Sequence, residues 1–311
     1  MTELLGGRVA IVTGAGGGLG RAHALALAAH GAKVVVNDMG SARDGSPLAV
    51  SLAMQVVEEI RASGGEAFGH TADVTDYTQV CDMVAQAEAL WGSVDIVINN
   101  AGILRDKTFA KMELGDFRKV VDVHLMGAVH CTKAVWKGMR ARRYGRIVFT
   151  TSSSGLYGNF GQSNYGAAKL ALVGLMNTLR LEGEKYGIRV NCISPSAATR
   201  MTDDVLDPPR LRLLDPLLVA PGVVALAAQA APNGIILCGG GGSFERAHIT
   251  LTNGALLGQA SPSQILERME EIGNRTGEFI PTSGPRQAEW EVARASRKCD
   301  LGHKGDASQT T

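Results

Sequence analysis

The sequence has no excess of charge of either sign and no long hydrophobic run. Its 311 residues include 31 basic and 30 acidic side chains. It therefore offers no basic surface for nucleic acid or for an anionic membrane. No apolar stretch reaches the length that crosses a bilayer. With 45% hydrophobic residues, the composition is that of a globular protein that acts on small molecules without nucleic-acid or membrane partners.

Cysteine and histidine patterns that bind metals are also missing. The five cysteines are scattered, odd in number and without CxxC or histidine-linked spacing, which indicates reduced thiols and no metal site. A strand-like pattern begins within about ten residues of the first Met, which leaves no room for a signal peptide. The last residues, "ASQTT", are not a peroxisomal address. We therefore expect a cytoplasmic protein.

Short β-branched runs alternate with helical patterns along most of the chain. Because these runs are apolar throughout, they predict parallel strands covered on both faces. The predicted fold class is α/β, a doubly wound Rossmann fold with a mostly parallel seven-stranded sheet and helices on both faces. The predicted strands span residues 8–13, 33–38, 66–73, 94–100, 146–152, 188–194 and 234–239.

The pattern changes near the C-terminus. We predict a Rossmann domain over residues 1–258, a C-terminal extension over 259–295, and a disordered polar tail over 296–311. Within this region, "HITLTNGALLG" predicts a hairpin across Asn253 and Gly254. The segment 261–273 has the cap, the proline and the apolar spacing of a helix.

A glycine-rich turn, "TGAGGGLG" (13–20), follows the first strand and opens the first helix. Gly14, Gly18 and Gly20 allow a tight turn and a close approach to a pyrophosphate, which the helix N-terminus also favours. A flexible turn is the alternative for the motif alone. Its position between strand and helix favours a dinucleotide site.

Asp38 ends the second strand, 24 residues after Gly14. A carboxylate there can accept hydrogen bonds from the adenosine ribose and repels a 2′-phosphate, which favours NAD over NADP. The alternative is a turn or cap role for Asp38. Arg21 and Arg43 lie near enough in sequence to accommodate NADP instead.

The stretch "SNYGAAK" (163–169) places Tyr165 and Lys169 four residues apart. On a helix these positions share a face. A phenol with a pKa of about 10 is a poor base near neutrality, and a neighbouring ammonium stabilises its ionised form. We therefore expect Lys169 to lower the pKa of Tyr165.

Several motifs, in this order, resemble those of the short-chain dehydrogenase/reductase superfamily over residues 6–258. They are "TGAGGGLG", "NNAG" (99–102), a serine-rich strand end, "YGAAK" and "NCISPS" (191–196). The stretches "NNAGILRDKTFAK" and "SSSGLYGNFGQSNYGAAK" are similar to the (3R)-hydroxyacyl-CoA dehydrogenase domains of type 2 multifunctional enzymes, also called 17β-hydroxysteroid dehydrogenases type 4. The resemblance implies NAD-dependent oxidation of a secondary alcohol on an acyl-CoA or steroid-like substrate.

The resemblance also implies a catalytic set. Tyr165 is the acid/base, Lys169 tunes it and holds the nicotinamide ribose, and Ser152 donates a hydrogen bond to the substrate oxygen. Ser153 and Ser154 are alternatives to Ser152. His124 stands where most members have an asparagine, and it is either part of this set or a satisfied interior histidine.

Further cofactor contacts follow from the positions that match the family. Asp73 and Asn99 have strand-end caps as their alternative roles. The complete predicted cofactor set is Gly14, Gly17, Gly18, Leu19, Gly20, Asp38, Asp73, Val74, Asn99, Asn100, Ala101, Gly102, Tyr165, Lys169, Pro195, Ala198 and Thr202.

Two other functions and an assembly complete the predictions. The enzymatic alternative is a broad-scope NAD(P)H carbonyl reductase, and the non-enzymatic one is a dinucleotide-binding sensor or scaffold. The family implies a homodimer or homotetramer, and the segment 259–295 covers either a neighbouring subunit or its own. The predicted interface residues on exposed helix faces are Val121, Leu125, Val135, Leu172 and Met176.

The basic run "KGMRARRYGR" (137–146) precedes its strand, which predicts a solvated helix end opposite the cofactor crevice.

Overall fold

The computed structural model describes residues 3–40, 42–46, 52–198 and 208–303. Within these ranges eight strands form one sheet, in the order β3-β2-β1-β4-β5-β6-β7-β8. The strands are β1 (Val9–Thr13), β2 (Lys33–Asn37), β3 (Ala67–His70), β4 (Ile96–Asn99), β5 (Gly145–Thr150), β6 (Ile188–Ser196), β7 (Ile236–Gly240) and β8 (Ser243–Ala247).

Strands β1 to β7 pair in parallel, and β8 pairs antiparallel with β7. The predicted doubly wound sheet of seven parallel strands is confirmed, with one added edge strand. The strand order reverses at β1, which pairs with β2 on one side and β4 on the other. Ligands of such sheets bind at the carboxyl ends of the strands beside this reversal.

Helices cover both faces of the sheet. Those before the last strands are α1 (Gly18–Ala29), α2 (Leu52–Ala62), α3 (Tyr77–Trp91), α4 (Leu114–Val121), α5 (Gly127–Arg142), α6 (Ser153–Tyr157), α7 (Ser163–Gly183), α8 (Pro208–Leu213) and α9 (Ala220–Ala227). Single 3₁₀ turns span Phe109–Lys111, Glu184–Tyr186 and Pro216–Leu218. The C-terminal helices are α10 (Pro262–Glu267), α11 (Met269–Ile272) and α12 (Gly284–His303).

Two apolar layers form the core because side chains alternate along each strand. Val9 and Ile11 pack on one face with residues of α3, α5 and α7. Ala10 and Val12 pack on the other face with residues of α1, α2 and α9. Because both faces are covered, the central strands are apolar at every position, which is why they could be recognised in the sequence.

A π-helical turn, Asp122–Met126, joins α4 to α5. The N–H of Gly127 bonds to the carbonyl of Asp122, five residues earlier. Such a turn carries one residue more than an α-helical turn and is frequent at functional sites. Here it carries His124.

The hairpin near the C-terminus lies at a different place from the predicted one, at the edge of the sheet. The chain reverses between β7 and β8 at Gly241 and Gly242, whose φ angles are 59° and 83°, a left-handed conformation that suits glycine. The predicted hairpin across Asn253 and Gly254 is wrong. Leu251 instead pairs with Phe279 in an isolated antiparallel bridge.

The chain divides into two compact units, Met1–Ala247 and His248–Thr311, whereas we predicted a boundary at 258. In the second unit the predicted helix over 261–273 is split into α10 and α11 at Arg268. Residues 296–303, predicted to be disordered, continue α12. The aromatic rings of Phe279 and Trp290 lie 5.0 Å apart and give this unit a small apolar centre.

Three of the five predicted interface residues lie in the chain's own core. Val135, Leu172 and Met176 are each 1% exposed, and all three contact the layer beneath the sheet. Their assignment to an exposed helix face is therefore wrong. Val121 and Leu125 are half-buried.

The basic run lies at the amino ends of the strands, opposite the switch point, as predicted. Several of its side chains nevertheless donate hydrogen bonds to backbone carbonyls. Arg142 donates to the carbonyl of Val94, and Arg146 is 2% exposed with its guanidinium on four backbone carbonyls. These arginines hold the strand ends, so only part of the run is a solvated surface.

In the described part of the chain, no helix is long and apolar enough to span a membrane. The same residues contain no cluster of three His, Cys, Asp or Glu side chains that could hold a metal ion.

Candidate functional site

The glycine-rich turn between β1 and α1 lies against the loop that follows β4. Gly14 has a φ of 62°, and a Cβ on it would lie 2.8 Å from the Cα of Ala101. A Cβ on Gly20 would overlap the carbonyl oxygen of Gly14. Any side chain at these two positions would therefore push the loops apart, as the sequence pattern predicted.

Asp38 holds the glycine turn as well as facing the cleft. One of its carboxylate oxygens accepts a 2.8 Å hydrogen bond from the N–H of Gly16. The other accepts a 2.8 Å bond from the N–H of Gly40. A carboxylate has about four acceptor positions, so both oxygens can still accept bonds from a ligand.

The asparagines of the "NNAG" motif differ in their contacts. Asn100 donates from Nδ2 to the carbonyls of Thr13 and Gly14, which ties the β4 loop to the glycine turn. The Nδ2 of Asn99 lies 3.4 Å from the hydroxyl of Thr132. Its Oδ1 is buried and has no hydrogen-bond partner among the described residues.

A cleft of about 1100 Å³, including its open mouth, lies at the carboxyl ends of β1, β2 and β4. Asn99 instead lines a narrower space of about 210 Å³ with His124 and Lys169. Pro195 lies in β6 and Ala198 follows it, and neither lines the cleft. Thr202 lies outside the described residues. The predicted cofactor residues that line the cleft are Gly14, Gly17, Gly18, Leu19, Gly20, Asp38, Asp73, Val74, Asn100, Ala101 and Gly102.

One wall of the cleft is formed by a loop outside the predicted cofactor set, although Arg43 was named as a residue that could accommodate NADP. The loop 42–46 contributes Arg43 and Gly45 to it, and it is held to the β4 loop by a bond from the N–H of Leu104 to the carbonyl of Arg43. Arg105 adds a bond from Nε to the carbonyl of Asp44. The glycine and aspartate of this stretch signal a turn, but its partner loop is about 60 residues away in sequence.

The residues present fit a dinucleotide. The turn has no room for side chains at Gly14 and Gly20. Helix α1 begins after Gly17, which provides no side-chain cap for the first-turn N–H groups. These N–H groups favour a phosphate.

Ser152 and Tyr165 meet at the carboxyl end of β5. Ser152 is the N-cap of α6, and its hydroxyl accepts a 3.2 Å bond from the N–H of Ser154. The Ser152 side chain is also close enough to the Tyr165 hydroxyl to lower the pKa of the phenol. Ser153 is exposed and Ser154 is half-buried, whereas Ser152 is buried and acts on the pKa of Tyr165, so Ser152 remains the candidate.

Lys169 lies one helical turn below Tyr165. It is 3% exposed, its Nζ donates a 2.6 Å bond to the carbonyl of Thr150, and it lies 5.4 Å from the centre of the Tyr165 ring. Burial lowers the pKa of Lys169 to about 7, because the charged ammonium loses water contacts.

The pKa of Tyr165 moves in the direction opposite to our expectation. Burial raises it to about 12, the nearby Ser152 side chain lowers it, and the negative charge of Asp106 raises it. Sequence spacing placed Lys169 correctly but could not show how deeply the phenol is buried.

His124 also lies against Tyr165. The two rings meet edge to face with their centres 5.1 Å apart. The structure thus brings together all four residues of the predicted catalytic set: Ser152, Tyr165, Lys169 and His124.

A doubly wound sheet with a glycine turn at its switch point and a tyrosine–lysine pair beside it is the arrangement of a dinucleotide-dependent oxidoreductase. The short chain dehydrogenase family model matches residues 8–208. The chain belongs to this family, whose members are oxidoreductases that typically bind a nicotinamide dinucleotide.

Two relatives illustrate the similarity in sequence. A Mycobacterium tuberculosis protein described as a short-chain type dehydrogenase/reductase is 47% identical over 275 residues, which cover 88% of this chain and 96% of that protein. The peroxisomal multifunctional enzyme type 2 of Drosophila melanogaster is 45% identical over 255 residues, 81% of this chain and 42% of that protein. This chain therefore spans less than half of the multifunctional enzyme.

Solved structures agree with the sequence relatives. The full-length Drosophila melanogaster enzyme superposes with a TM-score of 0.78 at 33% identity, covering 94% of this chain and 50% of that one. A 7α-hydroxysteroid dehydrogenase in complex with NADH and 7-oxo glycochenodeoxycholic acid superposes with a TM-score of 0.69 at 31% identity, covering 77% of this chain and 96% of that one.

Proposed function

We propose that the protein is an NAD-dependent dehydrogenase that interconverts a secondary alcohol and a ketone. The observation that carries this proposal is the grouping of Tyr165 with Ser152 and with the buried Lys169, whose Nζ lies 5.4 Å from the centre of the Tyr165 ring, at the carboxyl end of β5. A binding protein without turnover, such as a redox sensor or scaffold, has no need of this group.

Oxidation of an alcohol removes a proton from its oxygen and a hydride from its carbon. In the oxidation direction the phenolate of Tyr165 takes the proton and becomes the phenol, and Ser152 donates to the substrate oxygen and holds it there. In the reverse direction the phenol gives this proton to the oxygen of the ketone. Because burial opposes the phenolate, the oxidation needs positive charge beside it, and protonated Lys169 supplies part of that charge.

A nicotinamide dinucleotide, when bound, accepts the hydride and in its oxidised form brings a positive charge that favours the phenolate. The glycine turn and the first N–H groups of α1 would hold its pyrophosphate and Asp38 its adenosine ribose, with Asp73 and Val74 beside its adenine. Asn100, Ala101 and Gly102 would lie along the adenosine ribose and linker, and Lys169 would bond the nicotinamide ribose. The nicotinamide-side contacts of Pro195 and Ala198 stay predictions, as does that of Thr202, which lies outside the described residues.

Asp38 supports NAD rather than NADP, because its carboxylate faces the cleft and repels a 2′-phosphate. One observation favours the alternative, a carbonyl reductase that uses NADPH: Arg43 also lines the cleft. Asp38 is held by two backbone N–H groups, so its charge is fixed at the site, and we favour NAD.

For the substrate we propose a 3-hydroxyacyl-CoA or a hydroxysteroid-like alcohol. The support is the similarity to a multifunctional enzyme type 2 and to a steroid dehydrogenase. Leu213, at the end of α8, is 69% exposed and is available to an apolar substrate.

The experiment is an assay of reduced-nicotinamide formation with NAD and NADP in parallel. Substrates are a 3-hydroxyacyl-CoA, a hydroxysteroid and a simple secondary alcohol. We expect turnover with NAD and the highest kcat/KM with one of the two bulky substrates. Binding of NAD without turnover of any alcohol, or of the corresponding ketones with NADH, would support the sensor or scaffold.

We also propose that the protein forms a homodimer or homotetramer and that residues 259–295 pack on a neighbouring subunit. Leu266 and Val292 are 71% and 64% exposed, which is unfavourable for a unit that stays in water alone. The cytoplasmic location stays a prediction, and cell fractionation tests it, since two types of relative are named peroxisomal.

A further inference from the structure

His124 connects three elements around Tyr165. It sits in the π-helical turn between α4 and α5 and is 3% exposed. Its Nε2 lies 2.8 Å from the carbonyl oxygen and 3.1 Å from the amide nitrogen of Ile103. Ile103 belongs to the β4 loop, which forms part of the cleft wall.

The imidazole is neutral. Burial and then the positive charge of Lys169 lower the pKa of His124 well below its usual value, although its bond to Ile103 acts in the other direction. A neutral ring carries one proton. The shorter contact, to a carbonyl that can only accept, places this proton on Nε2. Nδ1 then has no hydrogen-bond partner among the described residues.

The ring lies against both Tyr165 and Gly102. The planes of His124 and Tyr165 are perpendicular, at 90°, which is a favourable aromatic geometry. A Cβ on Gly102 would overlap Cε1 of the imidazole and lie 2.9 Å from Nδ1. Gly102 therefore leaves the space that the ring occupies.

We propose that His124 is a positioning residue for Tyr165: its neutral ring, tethered to Ile103 and seated on Gly102, holds the phenol in its catalytic orientation. This inference rests on the proposed function of Tyr165. We assign His124 no acid/base step, because burial and the positive charge of Lys169 lower the pKa of its ring and so oppose acceptance of a proton at Nδ1.

The kinetic test compares two variants with the parent protein. His124→Ala removes the ring, and kcat should fall about tenfold or more, while KM for the dinucleotide stays within about twofold. His124→Phe keeps the ring contact with Tyr165 but loses the bond to Ile103, so its kcat should lie between that of the parent and that of His124→Ala. Both variants keep the shape of the parent pH profile, which an acid/base at this position would change.

The opposite kinetic results overturn the proposal. The proposal is wrong if His124→Ala keeps the parent kcat or changes only KM. It is also wrong if His124→Phe is as slow as His124→Ala, or if the pH profile of either variant loses one of the slopes seen in the parent. A loss of kcat with unchanged KM and rescue by Phe is not what a general loss of stability produces.

The second test needs no activity. Gly102→Ala alone should lower Tm by about 5 °C, because its methyl group overlaps the imidazole. In the His124→Ala background the same change should shift Tm by no more than about 1 °C. Additive shifts would show that Gly102 and His124 are not coupled, and the proposal would be wrong.

A crystal structure of His124→Ala separates failure of this inference from failure of the proposed function. If the parent turns over no alcohol but the Tyr165 ring rotates in the variant, His124 positions Tyr165 and the proposed reaction is wrong. If the ring keeps its orientation in the variant, the positioning role is wrong, whatever the reaction.

Discussion

The backbone N–H of Gly16 donates a 2.8 Å hydrogen bond to the carboxylate of Asp38. The second glycine of the turn is thus fixed by the acid that follows β2. A Cβ on Gly16 would lie 2.8 Å from the same carboxylate oxygen, so the contact depends on glycine. Asp38 therefore has two separable properties, a charge that faces the cleft and an acceptor that shapes the turn.

Two substitutions at Asp38 separate these properties. We expect the parent to prefer NAD over NADP by at least about tenfold in kcat/KM, about 1.4 kcal/mol. Asp38→Asn removes the charge and keeps an acceptor, so the preference should shrink with little change in Tm. Asp38→Ala should lose the preference and also lower Tm. Equal use of NADP by the parent would contradict the proposed role of the charge.

Replacement of the tyrosine tests the catalytic assignment. Tyr165→Phe keeps the ring and removes the proton carrier, so kcat should fall by about 100-fold or more while NAD still binds. The matched control is Tyr186→Phe. The Tyr186 hydroxyl bonds to Arg140 just before the amino end of β6, away from the proposed site. Most of the parent activity remaining in Tyr165→Phe would rule out the assignment.

The buried lysine should make stability depend on pH. Its pKa is about 7 in the folded protein and about 10.4 when unfolded. Between these values the unfolded chain binds more protons, so the free energy of unfolding should rise with pH by up to about 1.4 kcal/mol per pH unit. Lys169→Met should remove this slope, and Lys133→Met, at an exposed position, should keep it.

The measurement is urea unfolding of the dinucleotide-free protein between pH 7 and about 8.5. Above this range the buried thiols oppose the effect: burial raises the pKa of Cys131 to about 12 and that of Cys192 further, while thiols of the unfolded chain ionise near 8.5. Equal slopes for the parent and Lys169→Met would mean that the ammonium is not desolvated.

His23 is a second buried base, and it should make the free energy of unfolding depend on pH in the acid range. His23 is fully buried, neither ring nitrogen has a partner among the described residues, and burial lowers its pKa to about 3. The unfolded imidazole has a pKa of about 6.5, so stability is lost as pH falls from 6.5 toward 3. His23→Leu should therefore gain stability over the parent between pH 7 and 4.

Urea unfolding at pH 7, 5.5 and 4 measures this gain. The control is His248→Gln, because His248 is exposed and its removal should change the pH dependence little. A constant difference between the parent and His23→Leu at all three pH values would contradict a neutral, unsolvated imidazole.

Truncation tests the proposed role of the C-terminal unit. Removal of the chain after Ala247 leaves the first compact unit, which contains every described residue of the proposed site. If the segment packs on a neighbouring subunit and covers its cleft, the mass from light scattering should fall by more than the deleted residues and KM should rise. An unchanged subunit number and KM would rule out the inter-subunit role.

Much of the site could be predicted because its residues lie close together in the sequence. The glycine turn, Asp38 and the Tyr165–Lys169 pair depend on spacing within one strand–loop–helix or one helix, which the sequence shows directly. The central strands were recognised for a similar reason, because burial on both faces makes every residue of them apolar.

Contacts between distant segments were not predictable in the same way. Val135, Leu172 and Met176 were assigned to an exposed face because small, apolar helix residues fit an interface and a core equally well. The loop 42–46 has no periodicity that points to Arg105. The direction of the Tyr165 pKa shift depends on burial by several elements together, which no short motif contains.

The π-helical turn Asp122–Met126 fixes the number of residues that can connect α4 to α5. A π turn corresponds to one inserted residue, so deletion of a single residue there would restore a regular helix. Each residue turns an α-helix by about 100°, and α5 would then rotate by that angle relative to α4. Cys131 and Met139, now beneath the sheet, would turn away from it. We therefore expect short deletions to be tolerated less here than substitutions, even at positions whose side chains are exposed.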